Sequence, residues 1–139
     1  MSQTKVENAV ANGEDTKFLT APRQHGLSFR RFFTKRGRHP FDEIDWDLRT
    51  ASIQNEKGQA IFEQNEVEVP KDWSQTATNI VASKYFHGKL GTAERESSVR
   101  QLISRVADTI AQWGMEGSYF RTEEDAECFR DELTYLLVR

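Results

Sequence analysis

The chain has 139 residues, of which 37% are hydrophobic and 29% charged, with a formal net charge of −3 at pH 7. This length suffices for one domain with a single core but not for two. The balanced charge gives no global argument for nucleic-acid or membrane binding, and no apolar run approaches the ~20 residues of a membrane span. The N-terminus lacks the apolar core of a signal peptide. We therefore predict one soluble, cytoplasmic domain without membrane association.

Cysteine and histidine usage limits the chemistry that this chain can perform. Its single cysteine, Cys128, excludes an intrachain disulfide, a dithiol redox pair and a cysteine-based zinc site. We predict that Cys128 is a small residue packed beside an apolar helical stripe rather than a reactive thiol. The three histidines lie in stretches that contain Gly or Pro, without the paired helical spacing of a metal site: His25, His39 and His87.

Two clusters of acidic residues likewise give little indication of a catalytic or metal site. One is explained by the start of a helix, where negative charge is favourable: Glu123, Glu124, Asp125 and Glu127. The other could hold a hard cation but lacks the spacing of a calcium loop: Asp42, Glu43, Asp45 and Asp47. Residue types alone therefore indicate no catalytic site and no metal site.

A basic and aromatic strip follows a polar leader. Residues 1–22 are predicted to form a flexible leader, and residues 23–46 an irregular arm. Within the arm, residues 23–39 carry six Lys and Arg side chains and three phenylalanines but no acid. Such a strip can bind phosphate or nucleic acid, or it can fold against the acidic segment that follows, with the phenylalanines as buried anchors. The adjacent opposite charges favour the second interpretation. The candidate phosphate or interdomain contacts are Arg30, Arg31, Lys35 and Arg36.

Residues 47–69 have the pattern of a β-hairpin. The segment 55–58, Asn-Glu-Lys-Gly, is a four-residue turn in which Gly58 can take a positive φ. In the returning strand, Ile61, Val67 and Val69 share one parity, so we predict that all three face the core. Pro70 ends the strand.

Residues 72–139 carry three amphipathic helical patterns. The first is predicted to begin at Asp72, with Gln75 in a capping box, and to end at His87-Gly88. The second, 92–113, is predicted to begin at Thr92 and to stop at Gly114. The third opens with Thr122 and Asp125. The apolar stripes are Trp73, Ala77, Ile80, Val81 and Tyr85; then Val99, Leu102, Ile103, Val106, Ile110 and Trp113; then Ala126, Phe129, Leu133, Leu136 and Leu137.

The third pattern is still apolar at Arg139, without the Gly, Asn or Pro that normally marks a helix end. This predicts that the last helix is cut short and that the polypeptide was meant to continue. The predicted fold is α+β and mainly helical, with an irregular basic arm, one β-hairpin and three helices. The arm, hairpin and helices form one domain at 23–139.

Three stretches together resemble the N-terminal region of adenosylcobalamin-dependent (class II) ribonucleotide reductases. They are GLSFRRFFTKRGRHPFDEIDWDLRTASI at 26–53, VEVPKDWSQTATNIVASKYFHGKLGTAERESSVRQLISRVADTIAQWG at 67–114, and YFRTEEDAECFRDELTYLLVR at 119–139. The blocks WSQTATNIVASKYF and EEDAECFRDEL are specific, because amphipathic patterning constrains only the apolar positions.

The resemblance implies an enzyme that reduces ribonucleotides to deoxyribonucleotides for DNA synthesis. Cobalt–carbon homolysis in such enzymes generates a thiyl radical, and a cysteine pair supplies electrons. Family members have a ten-stranded α/β barrel that holds these cysteines, and they are typically dimers regulated by deoxynucleotide effectors. The family's cysteines lie downstream of this chain, and Cys128 matches none of them. No catalytic or cobalamin-binding residue is therefore assigned here.

We thus predict a structural and assembly portion of a ribonucleoside-diphosphate reductase, inactive by itself and unable to bind adenosylcobalamin alone. Its expected partner is the remainder of the reductase, in cis or as a separate chain. The present chain would then be a truncated or split gene product. One alternative is an independent nucleic-acid- or nucleotide-binding module that uses the Arg/Phe strip 29–38. Another is a nucleotide-effector module in which residues 92–139 form a helical dimer face.

Overall fold

The computed structural model describes residues 25–139. A short 3-10 turn at Pro40–Glu43 precedes two strands, β1 (Trp46–Gln54) and β2 (Ala60–Pro70), and three helices, α1 (Gln75–Lys84), α2 (Val99–Glu116) and α3 (Glu123–Val138). The predicted α+β class is confirmed, with an irregular arm, one hairpin and three helices in the predicted order. The predicted leader lies outside the described residues.

β1 and β2 form a two-stranded antiparallel sheet whose register runs from Trp46 opposite Pro70 to Gln54 opposite Ala60. The predicted turn closes it, because the side-chain oxygen of Asn55 accepts hydrogen bonds from the Lys57 and Gln59 N–H groups. Gly58 has the positive φ that the turn requires, +76°.

A β-bulge in β2 overturns one sequence prediction. Arg49 pairs with Val67, whereas Ala51 pairs with Gln64, so β2 holds one residue more than β1 at this point. Glu66 in the bulge has φ +54°. The extra residue switches the parity of the strand, so that Gln64 is buried on the same side as Val67, and Ile61 is 67% exposed. The prediction that Ile61 faces the core was wrong.

The helix starts depend on hydrogen-bonding caps, and two of them differ from prediction. α1 is capped by Ser74, whose Oγ accepts from the Ala77 N–H, and not by Asp72. α2 begins at Val99 and not at Thr92, because Ser98 and Gln101 cap each other's backbone N–H groups there. The predicted cap of α3 is confirmed, since Thr122 Oγ1 accepts from the Asp125 N–H.

The end of α2 also differs from prediction. The helix continues past Gly114 to Glu116. A side chain at Gly114 would collide with the Phe120 ring, so this glycine allows close packing within the helix rather than stopping it.

One core forms between the hairpin, α1, the first half of α2 and the end of α3. Its buried members are Phe41, Ala51, Val67, Val69, Ala82, Phe86, Val99, Ile103 and Val138. Among residues 25–139, none of the three helices has the length and hydropathy needed to cross a bilayer.

The helices bury narrower faces than their apolar stripes predicted. α1 buries Thr78 and Ala82, and α3 buries Asp131 and Thr134 among other residues. Several large members of the predicted stripes are instead on the surface: Ile80, Tyr85, Ile110, Trp113, Leu136 and Leu137. These side chains lie outside the core of the described residues, whereas the helices bury smaller ones such as Ala82, Ala107 and Ala126.

Candidate functional site

The basic part of the arm, of which the structure describes residues 25–39, packs against α3. The Leu27 N–H donates to the Tyr119 carbonyl at 2.7 Å, and the Arg121 N–H donates to the Leu27 carbonyl at 3.0 Å. Gly26 permits this approach, because a Cβ there would lie 2.7 Å from the Arg121 nitrogen. The arm is thereby fixed to the segment between α2 and α3.

Phe29 and Asp125 form the next attachment. The Phe29 ring packs 5.9 Å from that of Phe120 and 5.2 Å from that of Phe129, between centroids. The Phe29 N–H donates to Asp125 Oδ1 at 2.9 Å. A hydrogen bond from the Thr122 hydroxyl lowers the pKa of Asp125; burial opposes this, and the Phe29 N–H reinforces it. The acids at the start of α3 therefore hold the arm as well as beginning the helix.

Arg31 forms a largely buried ion pair with Asp131. The Nη1–Oδ2 distance is 2.8 Å, and the two side chains are only 17% and 11% exposed. The same Nη1 also donates to Thr34 Oγ1 at 3.0 Å. A guanidinium enclosed in this way is not free to receive an external phosphate, so Arg31 contributes to the attachment of the arm.

Glu132 occupies the place in the arm where an anion would bind. Its carboxylate accepts from the Phe33 N–H at 3.0 Å, the Thr34 N–H at 2.9 Å and the Thr34 hydroxyl at 2.6 Å. Burial by itself would raise the pKa of Glu132, but these hydrogen bonds hold it below its ordinary value. Consecutive backbone N–H groups of this kind form an anion-binding concavity, and here a carboxylate of the same chain fills it.

The remaining cations of the strip are at the surface. Arg36 lies 3.4 Å from a carboxylate oxygen of Glu124, in a pair exposed on both sides, and Arg38 lies 3.3 Å from one of Glu43. Arg30 and Lys35 are exposed and pair with no acid among residues 25–139. Of the four candidate contacts, Arg31 and Arg36 thus face acids of α3, whereas Arg30 and Lys35 face solvent.

The arm folds mainly against acids of α3, whereas the sequence predicted that it folds against the acidic segment that follows it. Among the described residues, Arg38–Glu43 is the only ion pair that joins it to that segment. The prediction of phenylalanine anchors holds for Phe29 but fails for Phe32, which is 84% exposed. Asp131 and Glu132 were missed, because about 100 residues separate them from the arm and no local pattern connects the two.

A second buried polar cluster fixes the loop between α1 and α2. Glu96 falls within the helix predicted from Thr92 but precedes α2 in the structure. It accepts from Arg105 Nε at 2.7 Å and from the His87 N–H at 2.7 Å. Burial alone would raise the pKa of Glu96, but these partners hold it below its ordinary value. Arg95 donates to the Phe86 and Gly88 carbonyls. Every buried side-chain polar atom of the described residues has a partner, so this cluster is structural.

Cys128 is buried, as predicted, beside the core stripe of α3. Burial raises the pKa of its thiol, although the nearby Arg31 opposes this. Within residues 25–139, no group of three His, Cys, Asp or Glu side chains is arranged to hold a metal ion.

Comparison with known proteins identifies the family. The sequence model of the family described as class II vitamin B12-dependent ribonucleotide reductase matches residues 47–139, from β1 to the last residue. The chain therefore belongs to this family of oxidoreductases and corresponds to the N-terminal region of its members. The predicted resemblance is confirmed.

Three relatives named vitamin B12-dependent ribonucleotide reductase illustrate the match. The protein of Rhodopirellula baltica is 53% identical over 124 residues, which cover 86% of this chain and 12% of the relative. That of Streptomyces clavuligerus is 42% identical over 136 residues, covering 97% and 14%. That of Agrobacterium fabrum is 33% identical over 145 residues, covering 81% and 11%. The chain thus spans about an eighth of the length of these relatives.

Replacement of Arg31 by alanine tests the attachment of the arm. Arg31→Ala leaves Asp131 with only Arg130 as a partner, so we expect the free energy of unfolding to fall by about 2–3 kcal/mol in urea titrations. Arg30→Ala is the matched control one residue away, and we expect a change of no more than about 0.5 kcal/mol because Arg30 is exposed. Equal effects of the two substitutions would contradict the assigned role of Arg31.

The lowered pKa of Glu132 predicts a dependence of stability on pH. Its stabilisation is present above the unfolded-state pKa of about 4.3 and is lost as the pH falls through the lower folded-state pKa. Glu132→Gln should therefore reduce the free energy of unfolding at neutral pH by about 1–2 kcal/mol. The difference from wild type should disappear in acid, once Glu132 itself is protonated. Glu127→Gln, on the exposed side of the same helix, serves as control, and a difference that persists unchanged in acid would refute the assignment.

Proposed function

We propose that this chain is the N-terminal portion of an adenosylcobalamin-dependent ribonucleoside-diphosphate reductase, which makes deoxyribonucleotides for DNA synthesis in the cytoplasm. The observation that carries the proposal is the match to vitamin B12-dependent reductases of which the chain spans only 12–14%. Its role is structural: it takes part in assembling the enzyme with the remainder of the reductase, in cis or as a separate chain.

The thiol content of the chain supports a role without catalysis. Replacement of a ribose hydroxyl by hydrogen consumes two electrons, and a cysteine pair can supply them by forming a disulfide. This chain has one cysteine, and Cys128 is buried with a raised thiol pKa. We therefore place the radical cysteine and the redox cysteines in the remainder of the enzyme and expect the chain alone to be inactive.

The described residues do not fit a cobalamin. A corrin ring carries many amide groups, which need hydrogen-bonding partners when they are buried. Three grooves of residues 25–139 are lined almost entirely by apolar side chains, and a fourth, open one is lined mainly by ionisable side chains: Glu43, Asp45, Lys71, Asp72 and Arg139. His39 uses its Nδ1 to accept from the Phe41 N–H, so this ring nitrogen is engaged locally. Cofactor, ribonucleotide substrate and deoxynucleotide effectors are therefore assigned to the remainder of a dimeric reductase.

A second candidate function is binding of single-stranded nucleic acid by the strip 29–38. The observation in its favour is the Phe32 ring, which is 84% exposed in a segment where Arg30 and Lys35 also face solvent. Exposed rings stack on bases, and free cations neutralise phosphates. The acids of α3 beside the arm weaken this candidate, because they repel a phosphate backbone.

Exchange of the N-terminal segment tests the principal proposal. A chimera is made by replacing the matching segment of the Rhodopirellula baltica reductase with this chain. With adenosylcobalamin, a ribonucleoside diphosphate and a dithiol, the chimera should form deoxyribonucleotide. The isolated chain should form none, and the relative without its segment should lose activity. An inactive chimera, or turnover by the isolated chain, would overturn the proposal.

A salt titration tests the second candidate. Binding of fluorescent oligo-dT through Arg30 and Lys35 should weaken with salt, with a logarithmic slope of about −0.7 for each phosphate contacted. The double variant with Arg30→Ala and Lys35→Ala should lose this binding, whereas Lys57→Ala in the hairpin turn should retain it. Absence of binding by the wild-type chain at low salt would eliminate this function.

A further inference from the structure

α2 carries two parallel apolar stripes, and the domain covers only one of them. The first stripe is buried and includes Val99, Ile103, Ala107 and Ala111. The second lies beside it, half-buried at Leu102 and Val106 and exposed at Ile110 and Trp113, which is 64% exposed. Residues three and four apart share one side of a helix, so the second stripe forms a continuous apolar surface along α2.

Two grooves join this stripe to neighbouring segments, and one more lies beside them on α1. One is lined by Trp73, Ala77, Ile80 and Val81 of α1 and the turn before it. A second lies between α1 and α2, lined by Trp73, Val81, Tyr85, Leu102, Val106 and Leu137 among others. A third includes Leu27, Ile110, Trp113, Tyr119 and Phe129. Together we name these three grooves the apolar face.

The three grooves are connected. The first and second share Trp73 and Val81. Val106 of the second and Ile110 of the third are one turn apart on α2. No Asp, Glu, Lys or Arg lines any of the three. Extended patches of this kind are rare on monomeric proteins and mark interaction sites.

We infer that the apolar face is the surface through which this domain docks onto the remainder of the reductase, against a complementary uncharged surface of that polypeptide. The inference rests on the proposed function and deepens it, because it assigns the interdomain contact to the apolar face and not to the basic arm. The arm already uses Arg31 and the N–H groups of residues 33 and 34 within the domain.

Length and tethering identify the occupant. The chain spans 12–14% of the length of the first two relatives, so most of each relative is polypeptide that could cover the face. A surface without charges fits a permanent interface, since such interfaces are more apolar than transient ones. In each of these relatives the matched segment and the remainder are one polypeptide, so the remainder is present at a high effective concentration and outcompetes a second copy of the domain.

Side-chain oxidation measures the docking directly. Hydroxyl-radical footprinting is applied to the isolated chain and to the Rhodopirellula baltica chimera. Tyr85, Trp113 and Tyr119, all exposed members of the face, should be oxidised several-fold more slowly in the chimera. Phe32 is the matched control, because it is an exposed aromatic residue of the arm that lines none of the grooves, and its rate should not change.

Substitution of the face provides the second measurement. In the chimera, Trp113→Glu should abolish the protection of Tyr85 and Tyr119 and separate the unfolding of the domain from that of the barrel-bearing remainder in calorimetry. Ile61→Glu is the control, since Ile61 is equally exposed but lies on the hairpin outside the face. Both variants are also purified as isolated chains, whose unchanged circular dichroism should show that the fold survives.

The outcomes separate the docking inference from the proposed function. Unchanged oxidation of the face in a catalytically active chimera would overturn the docking and leave the function standing. A protected face in an inactive chimera would support docking and overturn the function. Protection of Phe32 instead would assign the contact to the arm. Protection that already occurs in the isolated chain and rises with its concentration would show that a second copy is the occupant, which also overturns the inference.

Discussion

The structure depends on carboxylates of α3 that receive hydrogen bonds and an ion pair from an arm about 100 residues earlier in the sequence. Asp125 takes the Phe29 N–H, Asp131 takes the Arg31 guanidinium, and Glu132 takes the N–H groups of residues 33 and 34. An arm without regular structure satisfies few of its own backbone donors, and α3 supplies acceptors for several of the others. The basic strip therefore chiefly attaches the first part of the described chain to α3, the last helix.

Small residues inside the helical layer determine what is left outside it. α2 and α3 pack with Ala107, Ala111 and Ala126 buried, and Gly114 leaves room for the Phe120 ring. Small side chains at a contact allow helices to approach closely, and larger members of the same helices, such as Ile110 and Trp113, lie at the surface. The helix pair therefore buries small residues and leaves an uncharged outer face.

The polar groups and the apolar side chains of the domain differ in how far the domain itself pairs or covers them. The buried polar side-chain atoms of the described residues have hydrogen-bond partners within the domain, both in the arm and around Glu96. The Glu96 carboxylate accepts from Arg105 and from the His87 N–H. In contrast, the domain does not bury all of its large apolar side chains, because Tyr85 and Trp113 remain more than 60% exposed. This combination is the one expected of a domain that completes a larger hydrophobic interface.

The sequence by itself determined the family, the order of the elements, the hairpin turn at Asn55 and the cap of α3, because each depends on residues close together in the chain. Only the tertiary structure decided which apolar residues are inside. The bulge at Glu66 reverses the side on which Ile61 lies, and Ser98 displaces the start of α2 from Thr92. Periodicity reports that a helix has an apolar side, but not how much of that side its own domain covers. That depends on packing between segments far apart in sequence.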